Sequence, residues 1–200
     1  MPENPAATRR AAIDSLLSRQ SHWPLVEPGP ADHELDLIFD AALRAPDHGR
    51  LQPWRFVLVR GEARGELGDV LVDIAAQRAP SEPREAHQHR RQKAYAAPVI
   101  VALGAAISAE TGIPEIEQLL SVGAAAMNML NAVHALGYGA FWVTGADAYD
   151  PRLHAALEFE PSDRLIGFLF IGSPQQRDPS PALRPPRGNH VREWLGRASI

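Results

Sequence analysis

Arg19-Gln20-Ser21 and the run Arg44-Ala-Pro-Asp-His48-Gly-Arg-Leu-Gln52-Pro-Trp54-Arg-Phe56 are the two segments whose residue types and spacing are most specific in this sequence. Taken singly, the first is a helix end carrying a cation, which the helix dipole favours. The second is a rigid turn bounded by prolines, with Trp54 packing into the core. The other candidates offer less. His87-Gln88-His89 lies in a polar, Arg-rich stretch with no carboxylate cluster at ligand spacing. Zinc needs three or four convergent ligands, so a solvated loop and no metal are expected. His134 stands on a long apolar run, where a core or interface histidine is expected. The chain has no cysteine, no G-x-S-x-G elbow and no G-x-x-x-x-G-K loop, so it carries no signature of nucleophilic hydrolysis or of a phosphate-cradling loop. Gly137-Tyr-Gly139 follows a helix and precedes a strand, the reverse of the dinucleotide fingerprint, and reads as a turn.

The elements that must position these residues follow from apolar spacing. A first helix spans Ala6 to Arg19, with Ala12, Ile13, Leu16 and Leu17 on one face. A second runs from Asp32, its expected N-cap, to about Leu43, burying Leu35, Ile38, Phe39 and Ala42. Pro46 forces the residue before it out of the helical region. Strands are expected at 55–60, 98–104, 140–144 and 164–172, and helices at 62–79 and 151–157. The stretch 80–93 is charged and His-rich and reads as an exposed, mobile excursion. Residues 115–136 form the longest helix, apolar nearly all round. Such a helix is buried all round, and part of it is therefore expected in a dimer interface. From Ser173 the chain is proline-rich and is expected to run extended over a surface as an arm to residue 200, with Val191–Leu195 as its anchor. One domain, 1–200, of the α+β class accounts for this order, with a central mixed sheet of about four to five strands flanked by helices.

Composition sets the outer limits. At 200 residues the chain can bury a sizeable core. A net charge of −4 lacks the basic footprint of a nucleic-acid binder. Of the 20 Lys and Arg residues only Lys93 is a lysine. No apolar run reaches the roughly 18–20 residues of a membrane helix, and Met1-Pro2-Glu3-Asn4-Pro5 does not resemble a secretory signal. A cytoplasmic protein is expected.

Taken together, the two opening segments resemble the nitroreductase family of flavoproteins. The carriers are Arg19-Gln20-Ser21, then Arg44-Ala45-Pro46-Asp47 with Gln52-Pro53-Trp54 and Phe56. Gly137-Tyr-Gly-Ala-Phe-Trp142-Val-Thr-Gly145 and Leu165-Ile-Gly-Phe-Leu-Phe-Ile-Gly172-Ser-Pro174 follow in the right order. The Pro-Asp-His form is similar to the small, minimal-length branch. The resemblance implies an intertwined homodimer with an extended C-terminal arm and FMN in the subunit interface. It places Arg19, Gln20 and Ser21 at the FMN phosphate and ribityl chain. Arg44 and His48 would reach the flavin from the other protomer, and Trp142, Val143 and Thr144 would lie beside its ring. Gln20 stands where a second Arg is common, and Val143 where a polar or basic residue is. Arg187 or Arg177 of the tail is the expected replacement for the missing positive charge.

The activity implied is hydride transfer from NAD(P)H through FMN to a nitroaromatic, quinone or similar electron-poor acceptor, in ping-pong order. No catalytic side-chain acid is demanded, because the cofactor carries the chemistry. Two alternatives stand beside it. One is a flavin enzyme on a dedicated substrate, dehalogenase-like or flavin-fragmenting. The other is a non-catalytic flavin-binding dimer.

Overall fold

The computed structural model describes residues 5–175 and 183–196. Helix α1 (Pro5–Ser18) leads through a two-residue strand β1 (Leu25–Val26) to α2 (Asp32–Ala42). Then come β2 (Trp54–Arg60), α3 (Ala63–Arg78), β3 (Val99–Ala105), α4 (Glu115–Ala135), β4 (Gly139–Val143), α5 (Pro151–Ala156) and β5 (Arg164–Pro174). The N-cap of α2 is Ala31, one residue before the expected Asp32. Asp32 instead pairs with Arg60, and Glu34 accepts the Ala31 N–H at 2.8 Å.

The sheet has five strands, with β5 hydrogen-bonded to β1, β3 and β4 and β3 to β2. All these pairings are antiparallel, where a mixed sheet was the expectation. Every residue of β3 is buried, so its unbroken apolar run serves two cores. On one face Ile100, Ala102 and Phe170 meet Leu67, Leu71 and Ile74 of α3. On the other, Val101, Leu103 and Leu169 meet Ile38 of α2 and Ala125, Met129 and Val133 of α4. β5 changes phase between Ile166 and Phe168, because Leu103 pairs with Gly167 while Gly104 pairs with Leu165. Ile166 is thus the extra residue of a β-bulge.

Most of the stretch 80–93 is exposed, but residues 84–95 are ordered against the body of the chain. They form a 3-10 run, Arg84–Tyr95, against α3, with His87 and Ala94 buried. Gly68 of α3 permits the approach, since a Cβ there would lie 2.7 Å from Arg91 Cγ. Ion pairs complete the docking: Arg84 with Asp73 at 2.6 Å and Arg91 with Asp69. Asp147, nearly buried after β4, gathers Arg78 at 2.6 Å, Lys93 at 3.1 Å and Arg90 at 3.5 Å.

Two surfaces remain apolar and uncovered. α1 buries no residue, leaving Ile13, Leu16 and Leu17 exposed, and α4 exposes Ile116, Leu120 and Met127 beside its buried stripe. The expected anchor Val191–Leu195 makes no buried contact on this chain: Trp194 is 79% exposed. Residues 176–182 and 197–200 of the expected arm lie outside the described residues. Among the described residues no helix is long and apolar enough to cross a membrane.

Candidate cofactor site

The first group of candidate residues lies where α1 ends against the C-terminal end of α4. Ser18 Oγ is 3.0 Å from His134 Nε2. The following segment is tied to the sheet by the His22 N–H, which donates to the Ala140 carbonyl at 3.2 Å, and by Trp23, whose ring meets Phe141 edge-on at 4.8 Å. Arg19 and Gln20 are half-buried and Ser21 is exposed. A cavity of about 230 Å³ opens here between Ser18, Gln20, His22, His134, Tyr138 and Pro174.

A second arginine joins this group. Arg184 donates from its guanidinium to the Arg19 carbonyl. Burial first, then the Arg184 charge, holds the Arg19 guanidinium below its ordinary range. Among the described residues neither guanidinium pairs with a carboxylate. Sequence reasoning missed Arg184, since only the path of the tail brings it to Arg19. Arg187 sits in an exposed 3-10 turn, Arg187–Asn189, and Arg177 lies outside the described residues.

The second group lies at the far end of β4. Both Trp142 Nε1 and Thr144 Oγ1 donate to the bulged Ile166 carbonyl, at 3.4 and 3.2 Å. Gly167 makes this possible. It has φ +141°, and a Cβ there would lie 2.4 Å from Trp142 Nε1 and 2.7 Å from the Val143 carbonyl. Trp142 and Thr144 are exposed, while Val143 is half-buried and walls a cavity of about 70 Å³ with Lys93, Asp147 and Phe168.

The third group is the turn after α2. Arg44 is exposed, and His48 begins the 3-10 turn His48–Arg50. The Asp47 carboxylate accepts the Gln52 N–H at 2.7 Å and braces the turn. His48 Nδ1 reaches Glu117 Oε2 at 2.6 Å, at the N-terminal end of α4. Glu117 and His134 are separated by about 25 Å of helix at ~1.5 Å rise per residue. Within one chain, then, Arg19 and His48 lie at opposite ends of α4, and the structure does not bring them together. Among the described residues no three His, Asp or Glu side chains converge in a way that could hold a metal ion.

The model of the nitroreductase family matches residues 17–173. YdjA of Escherichia coli K12, which carries an NAD(P)H nitroreductase name, is 35% identical over 164 residues, 82% of this chain and 88% of YdjA. A solved nitroreductase-like family protein from Bacillus cereus superposes with a TM-score of 0.77 at 20% identity, covering 92% of this chain and 96% of that one. A nitroreductase-type structure from Desulfovibrio desulfuricans in complex with FMN gives a TM-score of 0.68 at 25% identity, covering 97% and 99%.

Proposed function

The chain belongs to the nitroreductase family, and from that premise we propose that it is an FMN-dependent oxidoreductase that takes its electrons from NAD(P)H. The convergence of Arg19 and Arg184 carries the reading. The Arg184 guanidinium, bonded to the Arg19 carbonyl, and the Arg19 guanidinium, neither paired with a carboxylate among the described residues, are a donor set for a phosphate, which each can bind through paired N–H bonds at any working pH. Gln20 and Ser21 continue that site toward the ribityl chain, and Trp142, Val143 and Thr144 flank the ring. The Ile166 carbonyl, by receiving both Trp142 and Thr144, fixes the shape of that flank.

The site is completed by a second copy of the chain. The uncovered apolar stripe of α4 lies between its two ends, and a two-fold pairing of this helix brings the end bearing Arg19 on one chain to the end bearing His48 on the other. Arg44 and His48 of the partner subunit then border the flavin. His48 serves as a hydrogen-bonding neighbour there, with no proton-donor role required. The tail anchor, Val191–Leu195, has its apolar side chains free to lie on the partner.

When bound, FMN supplies hydride transfer from NAD(P)H to an electron-poor acceptor such as a nitroaromatic or a quinone, in ping-pong order. The chain's own residues bind and orient; none is asked to act as acid or base. Purified protein is expected to be yellow, to bleach with NAD(P)H under anaerobic conditions, and to recolour when a nitroaromatic is added. A colourless dimer indifferent to FMN would overturn this in favour of a non-catalytic role. Bleaching without nitroaromatic or quinone turnover would assign a dedicated substrate.

A further inference from the structure

The cavity at the C-terminal end of α4 holds two histidines, His134 from the helix and His22 from the segment after α1, and the charge of the adjoining Arg19 bears on His134. Among the described residues the charged groups bearing on His134 are basic. Arg19 and His22 both act on it, and Arg184 in turn bears on Arg19. Glu34, the carboxylate that α2 contributes near Tyr138, is taken up by the Tyr138 hydroxyl at 2.8 Å and by the Ala31 N–H at 2.8 Å. Burial, then Arg19 and His22, holds the His134 imidazole below its ordinary range, so it is neutral at pH 7 in the free chain. The basic neighbours thus oppose protonation of His134 until an anion shares the site. A dianion there, with the negative end of the α4 dipole, reverses the balance and favours the imidazolium.

The hydrogen bonding indicates which atom takes the proton. Ser18 directs its hydroxyl at the Ser15 carbonyl at 3.1 Å, leaving its oxygen to accept from His134 Nε2–H at 3.0 Å. The neutral ring therefore carries its proton on Nε2, and Nδ1 has the open lone pair.

We propose that His134, with His22 beside it, is a proton-accepting part of the phosphate pocket: each FMN that binds as a phosphate dianion brings one solvent proton onto His134 Nδ1. The only bond formed is N–H, and no electron moves. The inference rests on the reading of Arg19 as the phosphate site. Its consequence is linkage. Between the free and bound pKa of His134, each pH unit weakens FMN by up to about tenfold. The phosphate's own second ionisation, near pH ~6, is complete above neutrality, so the slope from pH 7 upward belongs to the protein.

The test titrates flavin-free protein with FMN and, in parallel, with riboflavin, which has no phosphate. It reads flavin fluorescence at pH 7 and 8 and heats in two buffers of different ionisation enthalpy. Expected are an FMN affinity falling about 3- to 10-fold from pH 7 to pH 8, uptake of nearly one proton per FMN, and no slope for riboflavin. His134→Gln should still bind FMN but without the slope. A pH-independent FMN affinity with no buffer-dependent heat overturns the proposal, as does an unchanged slope in His134→Gln. Failure to bind FMN at either pH overturns the cofactor reading itself, and this inference with it.

Discussion

His48 Nδ1 lies 2.6 Å from the Glu117 carboxylate, and this contact fixes the turn after α2 at the N-terminal end of α4. The matching contact at the other end, Ser18 to His134, fixes the segment that carries Arg19. One helix thus holds the two parts of the proposed cofactor site about 25 Å apart by its ~1.5 Å rise per residue, and the proposed function depends on a second chain to close that distance.

The apolar stripe on α4 is what a second chain would cover. Leu120, 64% exposed, stands on it. Leu120→Glu loses the burial of a leucine side chain, about 1.5–3 kcal/mol in each subunit, and places a charge in the interface. Light scattering at micromolar concentration should give a dimeric mass for the parent chain and a shift toward monomer for the variant.

Arg19→Ala should weaken FMN by about 1.5–3 kcal/mol, the range for a hydrogen bond to a charged group. Arg184→Ala should act in the same direction. Neither should alter thermal unfolding greatly, since Arg19 follows a helix that buries no residue. Fluorescence titration checks the affinity. Unchanged binding in Arg19→Ala would leave that segment as a helix end and nothing more.

Gly167→Ala tests the bulge. The new methyl would meet Trp142 Nε1 at 2.4 Å and Thr144 Oγ1 at 2.8 Å, on a backbone with φ +141°. Overpacking and backbone strain together predict a loss of at least about 2 kcal/mol, measured by urea unfolding. FMN should also bind less tightly as the Trp142–Thr144 flank is displaced.

Stability in acid should depend on Asp150. The Arg152 guanidinium, aided by the Arg152 N–H and by Arg78, holds this carboxyl well below the usual carboxylate range. A carboxyl whose pKa is lower in the folded chain than in the unfolded one stabilises the fold above the unfolded value, about 3.9. That stabilisation is lost as the pH falls through the folded value. The urea midpoint should therefore drop below about pH 4, and Asp150→Asn should lower it at pH 7 while flattening its dependence in acid.

Much of this architecture is legible in the sequence where a local pattern carries it. The unbroken apolar run 98–104 is β3, and the long apolar segment 115–136 is α4. The motifs around Arg19 and around Arg44 to Phe56 point to the residues of the candidate site. What is hidden depends on partners distant in sequence. Residues 84–95 bury only His87 and Ala94 and are held by Asp69, Asp73 and Asp147, so their composition reads as solvated. Arg184 reaches Arg19 through the course of a proline-rich tail, which has no periodicity to read. The Ile166–Gly167 bulge is an extra residue in one strand relative to its partner, and no single strand's pattern reveals it. The grouping of the site at the two ends of α4 likewise appears only once the helix is packed.

The central claim is that each flavin site is shared between two chains, and a mixed dimer tests it most directly. Arg19→Ala and His48→Ala chains, each with its own tag, are co-expressed, and the doubly tagged dimer is titrated with FMN beside both parent homodimers. If the sites are shared, one site of the mixed dimer collects both substitutions and the other has neither. The account predicts that both homodimers bind weakly while about half of the mixed dimer's sites bind as tightly as the parent protein. A mixed dimer with two weakened sites, or a His48→Ala homodimer that keeps full affinity, would contradict it.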